Sequence, residues 1–141
     1  MTTPTMTFHV EACRRDAHVS HATCKSAEIA LDTDLAGNPQ AFNPAELLLA
    51  ALSACMIKGI ERVALMLKFS LRGVSVTVDG VRQDAPPRLE SIHYEIVVDS
   101  DESDHRLELL HDNVKKFGTV FNTVAPGTSL SGILRRKSVP G

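Results

Sequence analysis

Tryptophan is missing from this chain of 141 residues, tyrosine occurs once, and there are three cysteines, Cys13, Cys24 and Cys55. An odd number of cysteines does not favour a scaffold of paired disulfides, so we expect the thiols to be packed or reactive. The longest apolar run, Leu47 to Ile57, is far shorter than the roughly 18 residues of a membrane span. We therefore expect no membrane partner.

Several catalytic motifs are also absent. The chain has no G-x-G-x-x-G, P-loop, H-E-x-x-H, C-x-x-C or G-x-S-x-G sequence, which argues against dinucleotide, nucleotide-hydrolysing, zinc-protease, thioredoxin-type and serine-hydrolase functions. An excess of positive charge is missing too, since 15 Lys and Arg face 17 Asp and Glu for a net charge of −2. No nucleic-acid partner is expected. A thiol reaction without cofactor or metal remains.

The length and the hydrophobic share of 43 % are typical of one globular domain, which we expect to span residues 1–141. The first seven residues contain neither the basic segment nor the apolar segment of a secretion signal. A cytoplasmic location is the resulting expectation.

Alternating apolar residues predict strands, and three- to four-residue spacing predicts helices. The pattern predicts extended segments at 6–14 and 19–31, a loop at 32–42, a helix from 44, a strand hairpin at 74–99, a helix from 104 to 117 capped by Ser103 or Asp104, a helical turn at 119–125 and a strand at 130–136. Gly118 follows the second helix in the C′ position. The fold class is thus α+β, in the order ββα, ββα, β.

The first helix has a distinct start. Asn43 is suited to the N-cap, Pro44 to the first helical position, and Glu46 to the third position, where its carboxylate can bond back to the cap. The run from Leu47 to Ile57 is apolar on all sides and needs cover on all sides. A single chain of this size supplies that cover poorly, so we predict an obligate homodimer in which two such helices pack together.

These motifs together resemble the OsmC/Ohr family of hydroperoxide-reducing stress proteins. The resemblance spans essentially the whole chain and rests on the helix start N-P-x-E-L-L, the run A-A-L-x-A-C that ends at Cys55, the Pro86-Pro87 hairpin and the segment V-x-N-T near the second helix. It implies an intertwined α+β dimer with antiparallel sheets and a long central buried helix. It also implies a helix-borne cysteine that attacks organic peroxides, activated by an arginine and a glutamate and resolved by a second cysteine.

The resemblance assigns Cys55 as the peroxidatic cysteine and Arg15 as the arginine of the first hairpin. Two family positions differ here. Ala45 occupies the position of the family glutamate, with Glu46 one place later, and Gly118 aligns with the resolving cysteine.

A thiolate on an apolar helix face needs a cation within about 4–6 Å. Arg15 or Arg14 is the candidate, and a one-residue slip in strand register would exchange them. Glu46 lies roughly 13.5 Å from Cys55 along the helix axis and half a turn out of phase. Glu46 can therefore join a Cys55 site only from a partner subunit or a bent chain. Its other role, favoured here, is in the capping box, and Cys55 itself could instead be a core residue.

The segment containing His18, His21 and Cys24 has the residue types of a metal site. On a strand, however, the middle residue points away from the other two, so metal is the weaker interpretation. Cys13 and Cys24 are interpreted as strand residues, as cross-strand neighbours or as substitute resolving thiols.

The sequence is compatible with two functions. The first is reduction of organic hydroperoxides by Cys55, with turnover through an external thiol. The second is a non-catalytic OsmC-like protein that holds a small hydrophobic ligand in the dimer cleft.

Overall fold

The structure is a computed structural model that describes residues 5–138. The chain divides into two compact units, with the boundary between Leu47 and Leu48. Its architecture is α+β, as expected, with two three-stranded sheets. In the described residues, no helix is long and apolar enough to cross a membrane.

The first unit carries an antiparallel sheet in the order β1-β2-β3. Its strands are β1 (Glu11–Arg14), β2 (Ser20–Cys24) and β3 (Ala27–Leu31). The sequence predicted one extended segment over 19–31, and this was wrong because the chain turns at Lys25, whose φ is +57°. The predicted strand over 6–14 is also shorter, because residues 6–10 alternate in character but pair with no described strand.

Helix α1 (Pro44–Met66) begins at the predicted residue. The Asn43 side-chain oxygen accepts from the Glu46 backbone N–H at 2.8 Å, and the Glu46 carboxylate accepts from the Asn43 N–H at 3.0 Å. This reciprocal pair is the capping box predicted above. One face of the helix is buried, comprising Leu52, Met56, Gly59, Ile60, Val63 and Ala64. Other apolar side chains of α1 are exposed, so within one chain the run is not covered on every side.

The second unit contains a mixed sheet in the order β4-β5-β6. Its strands are β4 (Gly73–Asp84), β5 (Pro87–Asp99) and β6 (Ser129–Arg136). The first two form the predicted antiparallel hairpin, whereas β6 runs parallel to β5, so the expectation of antiparallel sheets holds for only part of this one. On one face, cross-strand pairs of valine with tyrosine, isoleucine or valine supply the core, at Val74–Val98, Val76–Ile96 and Val78–Tyr94.

Two further helices follow the hairpin. Helix α2 (Asp104–Phe117) is capped by Ser103, whose hydroxyl oxygen accepts from the Arg106 N–H at 3.3 Å. It buries Leu107, Leu110 and Val114 against the core. A short helix α3 (Thr119–Val124) and one 3₁₀ turn (Ala125–Gly127) then lead to β6. The single hydrophobic core cluster found among the described residues lies in this second unit.

Candidate active site

Cys55 lies at the middle of α1, in the second unit. It is half-buried, packs against the hydrophobic core and carries a free thiol. The fully buried side chains of Leu52 and Met56, three residues before and one after, anchor this part of the helix. Core packing therefore fixes the position of the sulfur while leaving part of it accessible.

Gly118, between α2 and α3, lies directly against that sulfur. A Cβ atom at this position would be 3.1 Å from the Cys55 Sγ, 3.0 Å from the Phe121 Cβ and 3.0 Å from the Val114 carbonyl oxygen. In a disulfide, bond lengths and angles put the Cβ of one cysteine about 3 Å from the Sγ of the other. A side chain at residue 118 would thus place its Cβ at the distance from the Cys55 Sγ that a disulfide requires.

The backbone at Gly118 does not itself require glycine. Its φ is −76° and its ψ is 119°, an extended conformation that any residue adopts. The left-handed C′ cap that the sequence suggested is therefore not formed. Glycine is needed here for close approach, because a side chain would crowd Phe121, Val114 and Cys55.

Glu46 is committed to the start of α1. Its carboxylate caps the Asn43 N–H, and its backbone N–H is bound by the Asn43 side chain. Cys55 follows nine positions later in the same helix. The capping role, favoured from the sequence, is the one that the structure shows, and a contribution to a Cys55 site from a partner subunit stays a prediction.

Arg15 lies in the first unit, in the turn after β1. Its guanidinium is 3.7 Å from the Glu28 carboxylate of β3, and its backbone N–H donates to the Val19 carbonyl at 3.1 Å. The Asp16 carboxylate accepts from the His18 and Val19 N–H groups, and the first of these bonds lowers its pKa. A structured turn therefore presents Arg15, and its pairing with Cys55 stays a prediction.

Arg14 lies on the face of the first sheet opposite to that of Cys13. It pairs across β2 with Ser20, whereas its neighbour Cys13 pairs with His21. Because successive strand residues point to opposite faces, the register separates Arg14 from Cys13.

Cys13 and Cys24 also lie on opposite faces of that sheet. Cys13 pairs with His21, and Cys24 shares the face of Ala22 and pairs with Ala27. The interpretation of the two cysteines as cross-strand neighbours was therefore wrong. Over residues 5–138, no three His, Cys, Asp or Glu side chains come close enough to hold a metal ion.

One charged cluster of the first unit could not be predicted from the sequence. The Nδ1 of His21 bonds to the Glu28 carboxylate, and this bond, followed by the charges of His21 and Arg15, lowers the pKa of Glu28. A single extended segment over 19–31 gives Glu28 no partner, so the sequence did not predict its contact with His21. A hairpin within that segment pairs Glu28 with Thr23, so that Glu28 lies diagonally across from His21 on the same face of the sheet.

A buried polar pair lies in the layer next to Gly118. The Tyr94 hydroxyl and the His111 Nε2 are 2.6 Å apart, and the Tyr94 ring meets Phe121 edge-on with centroids 6.2 Å apart. Burial raises the pKa of Tyr94 to about 12. Burial also lowers the pKa of His111, helped by the charge of Lys115. This hydrogen bond joins β5 to α2 beside Phe121.

Comparison with known proteins gives the family. A family model described as OsmC-like protein matches residues 37–131. Among solved structures, an OsmC-like protein from Mycoplasma pneumoniae is 19 % identical with a TM-score of 0.84, covering 94 % of this chain and 99 % of that one. A search of curated proteins gave no match.

Two other similar structures carry functional names. An organic hydroperoxide resistance protein OsmC from Legionella pneumophila is 19 % identical with a TM-score of 0.68, covering 96 % of this chain and 100 % of that one. The organic hydroperoxide resistance protein OhrB of Bacillus subtilis is 18 % identical with a TM-score of 0.62, covering 94 % and 98 %. At these identities the likeness establishes the fold, and because the family model matches most of the chain, this protein belongs to the OsmC-like family.

Proposed function

We propose that this protein reduces organic hydroperoxides through the single thiol of Cys55. The observation that carries the proposal is the position of Cys55: in the middle of a helix, half-buried, and directly against Gly118. Membership of the OsmC-like family and the names of the Legionella and Bacillus structures support the substrate class.

The first step is attack by the Cys55 thiolate on the distal oxygen of the hydroperoxide. The O–O bond breaks, the sulfur becomes a sulfenic acid, and the remaining oxygen leaves as an alcohol after taking a proton. Arg15 supplies the positive charge that stabilises the thiolate and the charge on the leaving oxygen. The turn that holds Arg15 and its ion pair with Glu28 support this assignment.

The second step needs an external thiol, because residue 118 is glycine. One thiol condenses with the sulfenic acid to give a mixed disulfide and water, and a second thiol releases Cys55 and leaves as a disulfide. Turnover by this route is slow with common dithiols, since no cysteine at 118 forms an internal disulfide for them to reduce.

The working form is a homodimer. Several apolar side chains of α1 are exposed in one chain, with Leu48 at 40 %, Ile57 at 36 % and Leu65 at 83 %. Burying such a surface against a second copy is favourable, at about 25 cal/mol per Å². The resulting apolar walls favour alkyl peroxides over hydrogen peroxide. The chemistry belongs to a cytoplasmic protein, where external thiols stay reduced.

A second candidate function is non-catalytic binding of a small hydrophobic ligand in the dimer cleft. Two observations favour it: residue 118 lacks a thiol, and the Glu46 carboxylate is occupied by the helix cap. Co-purification of a lipid with an unmodified, unreactive Cys55 would support this candidate over the peroxidase.

The test measures consumption of cumene hydroperoxide by the protein in the presence of excess dithiothreitol. We expect consumption that exceeds that of hydrogen peroxide and that is lost in Cys55→Ser. Cys24→Ser is the matched control and should keep the full rate. Consumption that persists in Cys55→Ser would overturn the proposal.

A further inference from the structure

A second cysteine lies in an open cavity of the first unit. The cavity has a volume of about 680 Å³ and is lined mainly by β1 and β2, with Cys13, His21 and Glu28 among its walls. This is within the 300–1,000 Å³ range of small-molecule sites. Cys13 is exposed and precedes the segment matched by the family model, so the family assignment gives it no role.

The strand register puts Cys13 directly opposite His21. Residues paired in this way share a face of the sheet, with Cβ atoms about 4.5–5.5 Å apart. The thiol at present donates to the Arg14 carbonyl at 3.6 Å, a weak contact. A change of the Cys13 χ1 rotamer turns the sulfur towards the imidazole.

His21 is oriented by a carboxylate on the third strand. Its Nδ1 bonds to one oxygen of Glu28, and the Arg15 guanidinium lies 3.7 Å from that same oxygen. Both partners hold the pKa of Glu28 below its ordinary value, so the carboxylate is ionised at neutral pH. With Nδ1 bound, Nε2 is the nitrogen that can take a proton from a neighbouring thiol.

A nucleophile, a base beside it and a carboxylate that holds the base form the arrangement that activates cysteines for covalent chemistry. Three further charged residues line the cavity, Glu11, Arg14 and Arg15. Glu11 is 3.2 Å from the His9 ring, and Arg15 pairs with Glu28.

We propose that the cavity bounded by Cys13, His21 and Glu28 is a second thiol site, which exchanges with low-molecular-weight disulfides. His21 takes the proton of Cys13, and the thiolate attacks one sulfur of the disulfide. The S–S bond of the substrate breaks, a mixed disulfide with Cys13 forms, and the other half leaves as a thiolate with the bonding electron pair. The proton held by His21 then returns to that leaving thiolate or to water.

This inference shares only Arg15 and its ion pair with Glu28 with the peroxidase proposal, and its reacting groups are different. It uses residues of β1, β2 and β3, whereas the peroxidatic thiol is on α1 in the second unit. Its failure would leave the role of Cys55 unchanged, and loss of peroxidase activity would leave Cys13 exchange unchanged.

The test uses dithiodipyridine as the probe, with the full-length protein at neutral pH. Peptide mapping by mass spectrometry gives separate rates for Cys13 and Cys24. We expect His21→Ala to slow Cys13 by roughly tenfold or more through loss of the base, and Glu28→Gln to slow it less. Added free imidazole should restore the Cys13 rate in His21→Ala, which loss of a purely structural side chain would not allow.

Two controls sharpen the result. Cys24 is on the opposite face, so its rate should not change in either variant. Lys25→Ala, in the turn between β2 and β3 and outside the cavity lining, should leave the Cys13 rate unaffected. If exposure alone decided reactivity, Cys13 would react faster than Cys24, and its rate would be the same with or without His21. An unchanged Cys13 rate in His21→Ala would therefore overturn the proposal. A slowed rate that imidazole fails to restore, with the fold intact by circular dichroism, would overturn it as well.

Discussion

The two units place their cysteines in opposite surroundings. In the second unit, Cys55 packs against a hydrophobic core and the bare backbone of Gly118. In the first unit, Cys13 is exposed on a polar sheet beside His21 and Glu28. Packing positions the first thiol, and charge and hydrogen bonds surround the second. The chain thus holds one thiol that is half-buried against apolar side chains and another that is surrounded by charged neighbours.

The strongest test of the Cys55 surroundings is Gly118→Cys. The Cβ of the new cysteine would lie about 3 Å from the Cys55 Sγ, the separation found in a disulfide, once Phe121 and the Val114 carbonyl shift by a few tenths of an ångström to admit it. We expect nearly complete formation of a 55–118 disulfide after one equivalent of peroxide, and faster turnover with dithiols. Intact mass and peptide mapping measure the disulfide.

Gly127→Cys is the control for that variant, since a Cβ there has no neighbouring atom within 4 Å. It should leave Cys55 unpaired. If Gly118→Cys stays reduced while Cys55 is oxidised to a sulfenic acid, the proposed closeness of the two positions is wrong.

The next largest contrast is in the stability lost when an apolar side chain is truncated in each unit. Leu52 of α1 is fully buried, and Leu52→Ala should lower the free energy of unfolding by about 2–5 kcal/mol. Ile29 on β3 is 47 % exposed, so Ile29→Ala should cost less than about 1 kcal/mol. Urea titrations followed by circular dichroism give both values. Equal losses would mean that the first sheet is buried to the same degree as the core.

The start of α1 should show a smaller effect. Asn43→Ala removes the side chain that binds the Glu46 N–H and should cost about 0.5–2 kcal/mol. Glu46→Gln keeps the capping box, because glutamine also accepts from the cap residue. Stability and Cys55 peroxide reactivity should therefore both survive Glu46→Gln. A large loss of Cys55 reactivity in Glu46→Gln, with stability unchanged, would mean that Glu46 acts in the catalytic site and not only in the helix cap.

The smallest effect is a contrast in pH dependence. The bond from His18 to Asp34, 2.6 Å long, raises the pKa of His18, whereas burial lowers the pKa of His111. A raised pKa adds stability at low pH that is lost as pH rises through the folded-state value. A lowered pKa removes stability as pH falls below the ordinary value of about 6.5.

His18→Gln should therefore lose stability relative to the parent at about pH 5.5 and little at about pH 8, and His111→Gln should show the opposite sign at the lower pH. The glutamine at 111 can still accept from the Tyr94 hydroxyl. Denaturant titrations at the two pH values measure the difference. Slopes of the same sign for both variants would contradict the assigned environments.

The sequence predicts those parts of the fold that local chemistry decides. The start of α1 could be predicted from Asn43, Pro44 and Glu46, and the start of α2 from Ser103 or Asp104, because caps act within one turn of the helix. The hairpin at Lys25 escaped prediction because no glycine, asparagine or proline marks it. The parallel pairing of β6 with β5 and the cross-strand pair of Cys13 with His21 escaped it too, since alternation gives faces but no partners.

The candidate site divides in the same way. Cys55 and Gly118 could be singled out from motif positions, but the direct contact between them depends on how α2 ends against α1. The role of Glu28 depends on a turn that the sequence does not signal. Residues whose function follows from their neighbours along the chain were found, and those whose function follows from neighbours in space were not.

The most direct test of the central claim is trapping of a sulfenic acid on Cys55. The protein is mixed with excess cumene hydroperoxide in the presence of dimedone, and the adduct is located by peptide mass spectrometry. The account predicts a dimedone adduct on Cys55 that forms faster with cumene hydroperoxide than with hydrogen peroxide. An unmodified Cys55 under excess organic peroxide would contradict it.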